Sequence, residues 1–298
     1  MDDDFVQYLE AKQSVDDRAL NREVADSMKR FLRSHEGEVR ILEVGAGHGA
    51  TIERLASQGL LQQAAYTAID PDDASLATAR KRFRSDSRIG ELELITANLY
   101  DFAASTPLTW DLVIAHAVLD LLDLDQAIPT LRSLCVPEGR FYFTINFDGE
   151  TVFEPVIDPA LDSKILALYH DTMDNRMVNG RLSGHSQTGR RLFGALAERG
   201  AVIEQSGSSD WVVWSSRGAY PNNEAHFLHF IVTTVEKALT GSTELDPELL
   251  HRWVEERHAQ VDAGTLVYIA HQLDFFGRWP AAPTQYPPEP SRGRARES

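Results

Sequence analysis

The stretch Val39 to Ala50, VRILEVGAGHGA, restricts the fold of this chain more than any other. Its first half is a short apolar run that reads as a buried strand, and glycines at positions 45, 47 and 49 follow it. A buried strand ending in a turn that no side chain crowds is how a parallel α/β sheet brings backbone amides against a nucleotide-like ligand. The motif specifies a ligand class and leaves the reaction open.

The surrounding pattern agrees with such a sheet. An amphipathic helix, begun by Ser14 and Asp17 and carrying Leu20, Val24, Met28, Phe31 and Leu32 at spacings of three and four, precedes the first strand, Val39 to Val44. A helix over 51–57 has Gly59 as its cap. Further strands are predicted at Ala65 to Ile69, Leu92 to Thr96, Asp111 to Ile114 and Arg140 to Ile145, with helices over 77–83 and 126–134 between them. Pro129 is tolerable in the second of these helices only if it lies in the first turn.

Beyond Asn146 the rhythm changes. Residues 147–186 contain no clear strand and one helix, 162–173, so they read as an insertion. A helix over 186–199, strands over 201–205 and 211–214, helices over 222–239 and 247–261 and a strand over 265–275 complete the pattern. The chain therefore divides into an N-terminal helical lid (1–38), a ligand-binding core (39–146), a cap insertion (147–186), more core (187–214), a helical insertion (215–262), a last core strand (263–279) and a proline-rich tail (280–298) expected to be disordered.

Charge narrows the partners. With 45 acidic and 29 basic residues the formal net charge is -16, a surface that repels phosphate backbones and anionic membranes, so neither nucleic acid nor membrane is expected as a partner. No apolar run approaches the roughly 18 residues of a membrane helix, and the first residues lack the basic and apolar regions of a secretion signal. A soluble, cytoplasmic protein is the expectation. Cys135 is the sole cysteine, which precludes an intrachain disulfide or a cysteine-rich metal site, and it reads as a small core hydrophobe.

Glu43-x-Gly45-x-Gly47-x-Gly49, the acid at Asp70 and Asn98 after the third strand resemble the nucleotide-site motifs of class I S-adenosylmethionine-dependent methyltransferases. Residues 111–143 are similar to that family's fourth strand, helix and fifth strand, with CVPEGR where a leucine-x-proline-glycine-glycine turn is common. The resemblance implies an α/β, Rossmann-like, doubly wound and mostly parallel seven-stranded sheet with an antiparallel last strand, here with helical cap insertions. It implies an enzyme that transfers a methyl group from S-adenosyl-L-methionine to a small molecule. The turn Gly45, Ala46, Gly47 and Gly49 would approach the methionine part of the cofactor, and Glu43 its amino group. Asp70, followed by Pro71, would take the ribose hydroxyls, for which a carboxylate is a bidentate acceptor. Asn98 and the Leu99 amide would meet adenine, and His116 would face the methyl group or substrate as cofactor contact and candidate general base.

Two other readings use the same residues. Gly45, Gly47 and Ala50 also satisfy the G-x-G-x-x-A dinucleotide fingerprint of NAD(P)-binding oxidoreductases. The same fold also serves non-catalytic sensors or assembly subunits that bind S-adenosylmethionine or S-adenosylhomocysteine. Glu43 ahead of the first glycine, the helix before the first strand and the third- and fourth-strand matches favour the methyltransferase.

Substrate candidates come from the lid and cap: Tyr8 and Arg18, with Lys12 and Asn21, then Asn146, Tyr169 and His170. Between residues 147 and 176, seven acids (Asp148, Glu150, Glu154, Asp158, Asp162, Asp171, Asp174) oppose only Lys164 and Arg176, a balance that suits an amine-bearing or cationic substrate. The plainer alternative is an exposed acidic face. Asp120, four residues after His116, is expected to solvate a helix end, the alternative being that it faces the same cleft, and Trp211 and Trp214 to sit in a core. No metal is expected: His226 and His229 lack the H-E-x-x-H pattern, and Ala115 and His116 stand where a metal-binding acid would follow the fourth strand. Oligomeric state leaves no mark in the sequence.

Overall fold

All but one residue of β1 (Val39–Val44) is buried, as a strand covered on both faces must be. The computed structural model describes residues 3–178 and 180–281. Helices α1 (Asp3–Ala19) and α2 (Arg22–Ser34) precede β1, and α3 (Ala50–Ser57), β2 (Ala64–Asp70), α4 (Asp73–Phe83), β3 (Glu91–Thr96), α5 (Leu99–Ser105), β4 (Trp110–His116), α6 (Leu124–Ser133) and β5 (Cys135–Glu154) follow it. Next come α7 (Pro159–Asp174), a small hairpin of β6 (Met177–Val178) and β7 (Arg181–Leu182), α8 (Thr188–Glu198), β8 (Val202–Ser208) and β9 (Trp211–Val213). Helices α9 (Glu224–Leu239) and α10 (Pro247–Asp262) lead into β10 (Val267–Arg278).

The strands form one sheet in the order β3-β2-β1-β4-β5-β10-β8, with β9 also paired to β10. The first five are mutually parallel, whereas β10 runs antiparallel to both of its long neighbours. This is the doubly wound, mostly parallel architecture expected from the sequence. Apolar stripes of α2, α3 and α4 (Val24, Met28, Ile52, Leu55, Leu76) cover one face. Residues of α5, α6 and α8 (Phe102, Ile128, Leu131, Leu192, Leu196) cover the other. A third apolar cluster joins α1, α7, α9 and α10 through Val15, Ile165, Phe227, Val232 and Trp253, so the cap has a core of its own.

Four local expectations change. The single N-terminal helix is two, because Asn21 starts a new one: its side chain accepts from the Val24 amide at 3.1 Å and its own amide donates to Asp274 at 2.9 Å. The fifth strand does not stop at Ile145 but continues to Glu154, where its partner is Val267, more than a hundred residues later in the chain. A pairing so distant leaves no local periodicity to read. Pro129 is the sixth residue of α6, beyond the first turn, where its missing N–H costs the bond to the exposed Asp125. The β6–β7 hairpin interrupts a segment expected to hold only a helix. Most of the predicted disordered tail lies outside the described residues. Its start is docked, with the Ala281 amide donating to Glu138 at 2.8 Å.

The cap rests on one buried cation. The Arg257 side chain is fully buried and donates to Asp162 at 2.7 Å, to the Pro155 carbonyl at 2.7 Å and to Gln260 at 2.8 Å. Its guanidinium also lies 5.2 Å from the Trp253 ring and 5.3 Å from that of Phe153. Replacing Arg257 by Met leaves Asp162 without its cation, which costs roughly 3–5 kcal/mol in such pairs. Chemical denaturation should show a loss of that order, and a loss below about 1 kcal/mol would mean that the pair does not hold α10 to α7.

Candidate active site

Between β1 and β4 the strand order reverses, and chains leaving their carboxyl ends in opposite directions open a crevice there. The glycine turn forms its floor. The Gly45 and Ala46 amides donate to the Ile69 carbonyl at 2.9 and 3.1 Å, which ties the turn to β2. Gly45 has φ +74°, and a Cβ there would stand 2.9 Å from a Val118 methyl carbon. Gly49, at φ +87°, would put a Cβ 2.5 Å from the Phe83 ring. Both positions therefore require glycine, one because of the chain that follows β4 and the other because of α4.

Asp70 ends β2 beside this turn. One of its oxygens accepts from the Gly47 amide and the other from the Asp72 amide, each at 2.8 Å. These bonds fix the plane of the carboxylate, and each oxygen keeps a second lone pair. Pro71, next in the chain, is exposed. Glu43 is buried two residues before the turn, where it accepts from the Tyr66 hydroxyl at 2.8 Å. Burial pushes its carboxyl up to about 7, against the hydrogen bonds from Tyr66 and Thr51 that lower it.

Asn98 has a different geometry from the one expected. Its side-chain oxygen accepts from the Tyr100 and Asp101 amides, both at 3.0 Å, and its nitrogen donates to Asp101 at 2.6 Å. The side chain is the N-cap of α5 and turns back into that helix, so its oxygen is engaged where an adenine acceptor was predicted. Leu99, the first residue of α5, is buried beside it.

His116 closes the end of β4. Its Nε2 lies 3.1 Å from Asp16 and its Nδ1 2.8 Å from the Thr144 hydroxyl. A carboxylate only accepts, so Nε2 carries the proton and a neutral ring accepts from Thr144 through Nδ1. Burial, reinforced by Arg54, pushes the imidazole down to about 4 in spite of Asp16. Neither nitrogen is open to a substrate proton, so the geometry does not support the general-base role. Asp16 in turn accepts from Lys12 and, at 2.8 Å, from the Trp211 indole; against burial, which raises it, the charge of Lys12 and the hydrogen bonds from His116 and Lys12 hold its carboxyl well below the usual carboxylate range.

Past the end of β4 and beside the second half of β5, the cap forms a cavity of about 270 Å³. Six aromatic side chains contribute to its walls: Tyr8, Phe147, Tyr169, Trp211, Phe230 and Tyr268. Its polar lining includes Lys12, Asp120, Arg176 and Gln272.

Of the predicted lid and cap residues, Tyr8, Lys12 and Tyr169 reach this cavity, whereas Arg18, Asn21, Asn146 and His170 do not, Asn21 being the cap of α2. Arg18 instead forms a two-pronged ion pair with buried Glu224 at 2.7 and 2.9 Å, clamping α1 to α9. Asn146 is buried and donates to the Leu273 carbonyl at 2.8 Å. His170 bonds Thr151 at 3.1 Å and packs edge-on against Phe147, behind the wall.

The acidic cap does not form the site either. Asp148 pairs with Arg190, Asp162 with Arg257, and Asp158 caps α7. Asp174 accepts from the Ser186 amide and Glu154 from the Val156 amide, while Glu150 and Asp171 are exposed. None of the seven lines the cavity, so the cationic-substrate argument loses its basis.

Asp120, expected in solvent, lines the cavity with a buried oxygen, and Trp211 is both a wall and a donor to Asp16. Gln272 was missed altogether, because a polar residue inside a strand looks like any outward-facing one. His48, inside the glycine turn, was also missed. Burial pushes it down to about 4, and its Nε2 is buried with no hydrogen-bond partner among the described residues.

A sequence model of the methyltransferase domain matches residues 42–141. A ubiquinone biosynthesis O-methyltransferase of Saccharophagus degradans is 29% identical over 136 residues, which are 45% of this chain and 55% of that protein. The chain thus spans little more than half the length of that relative. Among solved structures, a cyclopropane-fatty-acyl-phospholipid synthase-like protein from Lactobacillus casei superposes with TM-score 0.53 at 15% identity, covering 89% of this chain and 91% of the other. The fold is that of class I methyltransferases.

The His116 geometry carries a pH signature. Between pH about 6.5 and 4 the unfolded chain protonates this residue and the folded chain does not, so acidification through that window removes stability, on the order of 3 kcal/mol at most. Glu43 titrates with the opposite sign, so the effect is read as the difference between wild type and His116→Gln in denaturant midpoints across that range. The difference should fall with pH, and a flat difference would mean that the ring is not held neutral.

Proposed function

We propose that this chain, whose residues 42–141 are a methyltransferase domain of the class I fold, transfers a methyl group from S-adenosyl-L-methionine to a small-molecule acceptor. The observation that carries this reading is the pairing of the glycine turn with Asp70. The turn is a cradle whose residue 45 admits no Cβ, and the carboxylate beside it is held by two backbone amides with lone pairs to spare. That arrangement suits a nucleoside whose adjacent hydroxyls need a fixed acceptor.

In this reading Gly45, Ala46, Gly47 and Gly49 bring backbone to the amino-acid part of the cofactor, and Asp70 with Pro71 takes the ribose. The amide of Leu99 and the wall of α5 meet adenine, while Asn98 orients that helix. Glu43, buried and hydrogen-bonded to Tyr66, supports the turn from below. When bound, S-adenosylmethionine supplies a methyl carbon activated by a sulfonium. What remains for the protein is alignment and exclusion of water. The cavity is the place for the acceptor, since Ala117, the residue that follows β4 at the strand-order reversal, belongs to its lining. His116 acts there as a positioning residue, holding α1 over the opening through Asp16.

The test is calorimetry with S-adenosylmethionine. Replacing Asp70 by Ala removes charge-assisted hydrogen bonds worth roughly 1.5–3 kcal/mol, so affinity should fall about 10- to 100-fold. An unchanged affinity in a variant that keeps its circular dichroism would place the nucleoside elsewhere.

A further inference from the structure

The cap cavity has a chemistry that its aromatic walls alone do not explain. One side-chain oxygen of Asp120 and the side-chain oxygen of Gln272 are buried with no hydrogen-bond partner among the described residues. Gln272 is 1% exposed. Leaving such an acceptor unpaired costs about 1–3 kcal/mol, and both residues belong to the lining of one cavity. The group that would satisfy them is a donor brought in by a ligand.

Charge points to the other end of that ligand. The lining carries two cations, Lys12 and Arg176, against one carboxylate, Asp120. Lys12 is already bound to Asp16 and stands 5.1 Å from the Trp211 ring. The guanidinium of Arg176 makes no hydrogen bond or ion pair with any described residue, although acids outnumber bases throughout this segment. An arginine left unpaired in a cavity wall is a receptor for an oxyanion. With Lys12 paired to Asp16, a simple amine would find its one acid, Asp120, offset by the charge of Arg176, so the lining offers it no net attraction.

Size and surface complete the description. An apolar cavity of about 150 Å³ accepts benzene, so about 270 Å³ accommodates one ring and a short substituent or two. Aromatic walls such as Phe147, Tyr169 and Trp211 suit a flat body.

We infer, resting on the methyltransferase reading above, that the cavity takes a one-ring carboxylic acid that also bears an O–H or N–H group. Its carboxylate faces Arg176, and its protic group faces Asp120 and Gln272. The protic group is then the atom nearest the end of β4, where Ala117 and Asp120 lie.

Three probes test this against the protein saturated with S-adenosylhomocysteine, by calorimetry: 4-hydroxyphenylacetate, tyramine and phenylacetate. The first should bind at least tenfold more tightly than the other two. Arg176→Met should erase its advantage over tyramine, whereas Asp120→Ala and Gln272→Leu should erase its advantage over phenylacetate. Should Asp120→Ala fail to fold, Gln272→Leu carries that arm alone. Tyramine binding as tightly as 4-hydroxyphenylacetate, equal binding of phenylacetate, or no binding of any probe to protein that holds S-adenosylhomocysteine would overturn the assignment and leave the methyltransferase reading intact. Failure of S-adenosylhomocysteine itself to bind would remove that reading, and this assignment with it.

Discussion

One carboxylate decides where the cap sits. Asp16 is 3% exposed and receives hydrogen bonds from three separate elements: Lys12 on its own helix, the Trp211 indole on β9 and the His116 ring at the end of β4. A buried charge persists only when it is paired and hydrogen-bonded. Satisfying this one fixes α1, the rear wall of the cavity and the open end of the sheet relative to one another. Asp274 does similar work lower down, accepting from the Asn21 and Ile145 amides and the Ser209 hydroxyl at 2.9, 2.7 and 2.6 Å. Through these two acids the N-terminal helices become part of the site.

The sheet was legible in the sequence because its forces are local. A strand covered on both faces, such as Val39–Val44, must be apolar along its whole length, and a turn that touches both Val118 and Phe83 must be glycine. The same locality explains the misses. The second half of β5 is held by β10, far along the chain, and its alternating exposure resembles a loop with scattered apolar residues. Arg18 looked like a lid residue because nothing near it in sequence is Glu224. The acids of the insertion looked like one electrostatic surface, yet most are claimed by partners: Arg190, Arg257, helix N-termini and loop amides. Charge counted along a chain says little about charge facing a cavity.

The candidate site follows the same division. Asp70 and the glycine turn are adjacent to their motifs in the chain and could be named from it. The cavity lining is assembled from α1, the turn after β4, β5, α7 and the chain just after it, β9, α9 and β10, and only their packing brings Asp120, Arg176 and Gln272 together. The two parts also differ physically. The crevice is polar backbone with fixed hydrogen bonds, whereas the cavity is aromatic surface with unpaired side-chain groups. Such a division suits a reaction in which one partner is constant and the other selective.

The central claim is that the crevice recognises the nucleoside of a sulfonium cofactor rather than a dinucleotide. The most direct measurement is a side-by-side titration of the unmodified protein with S-adenosylhomocysteine and with NADH. The account predicts saturable one-to-one binding of S-adenosylhomocysteine and none of NADH. Binding of NADH in place of S-adenosylhomocysteine would contradict it.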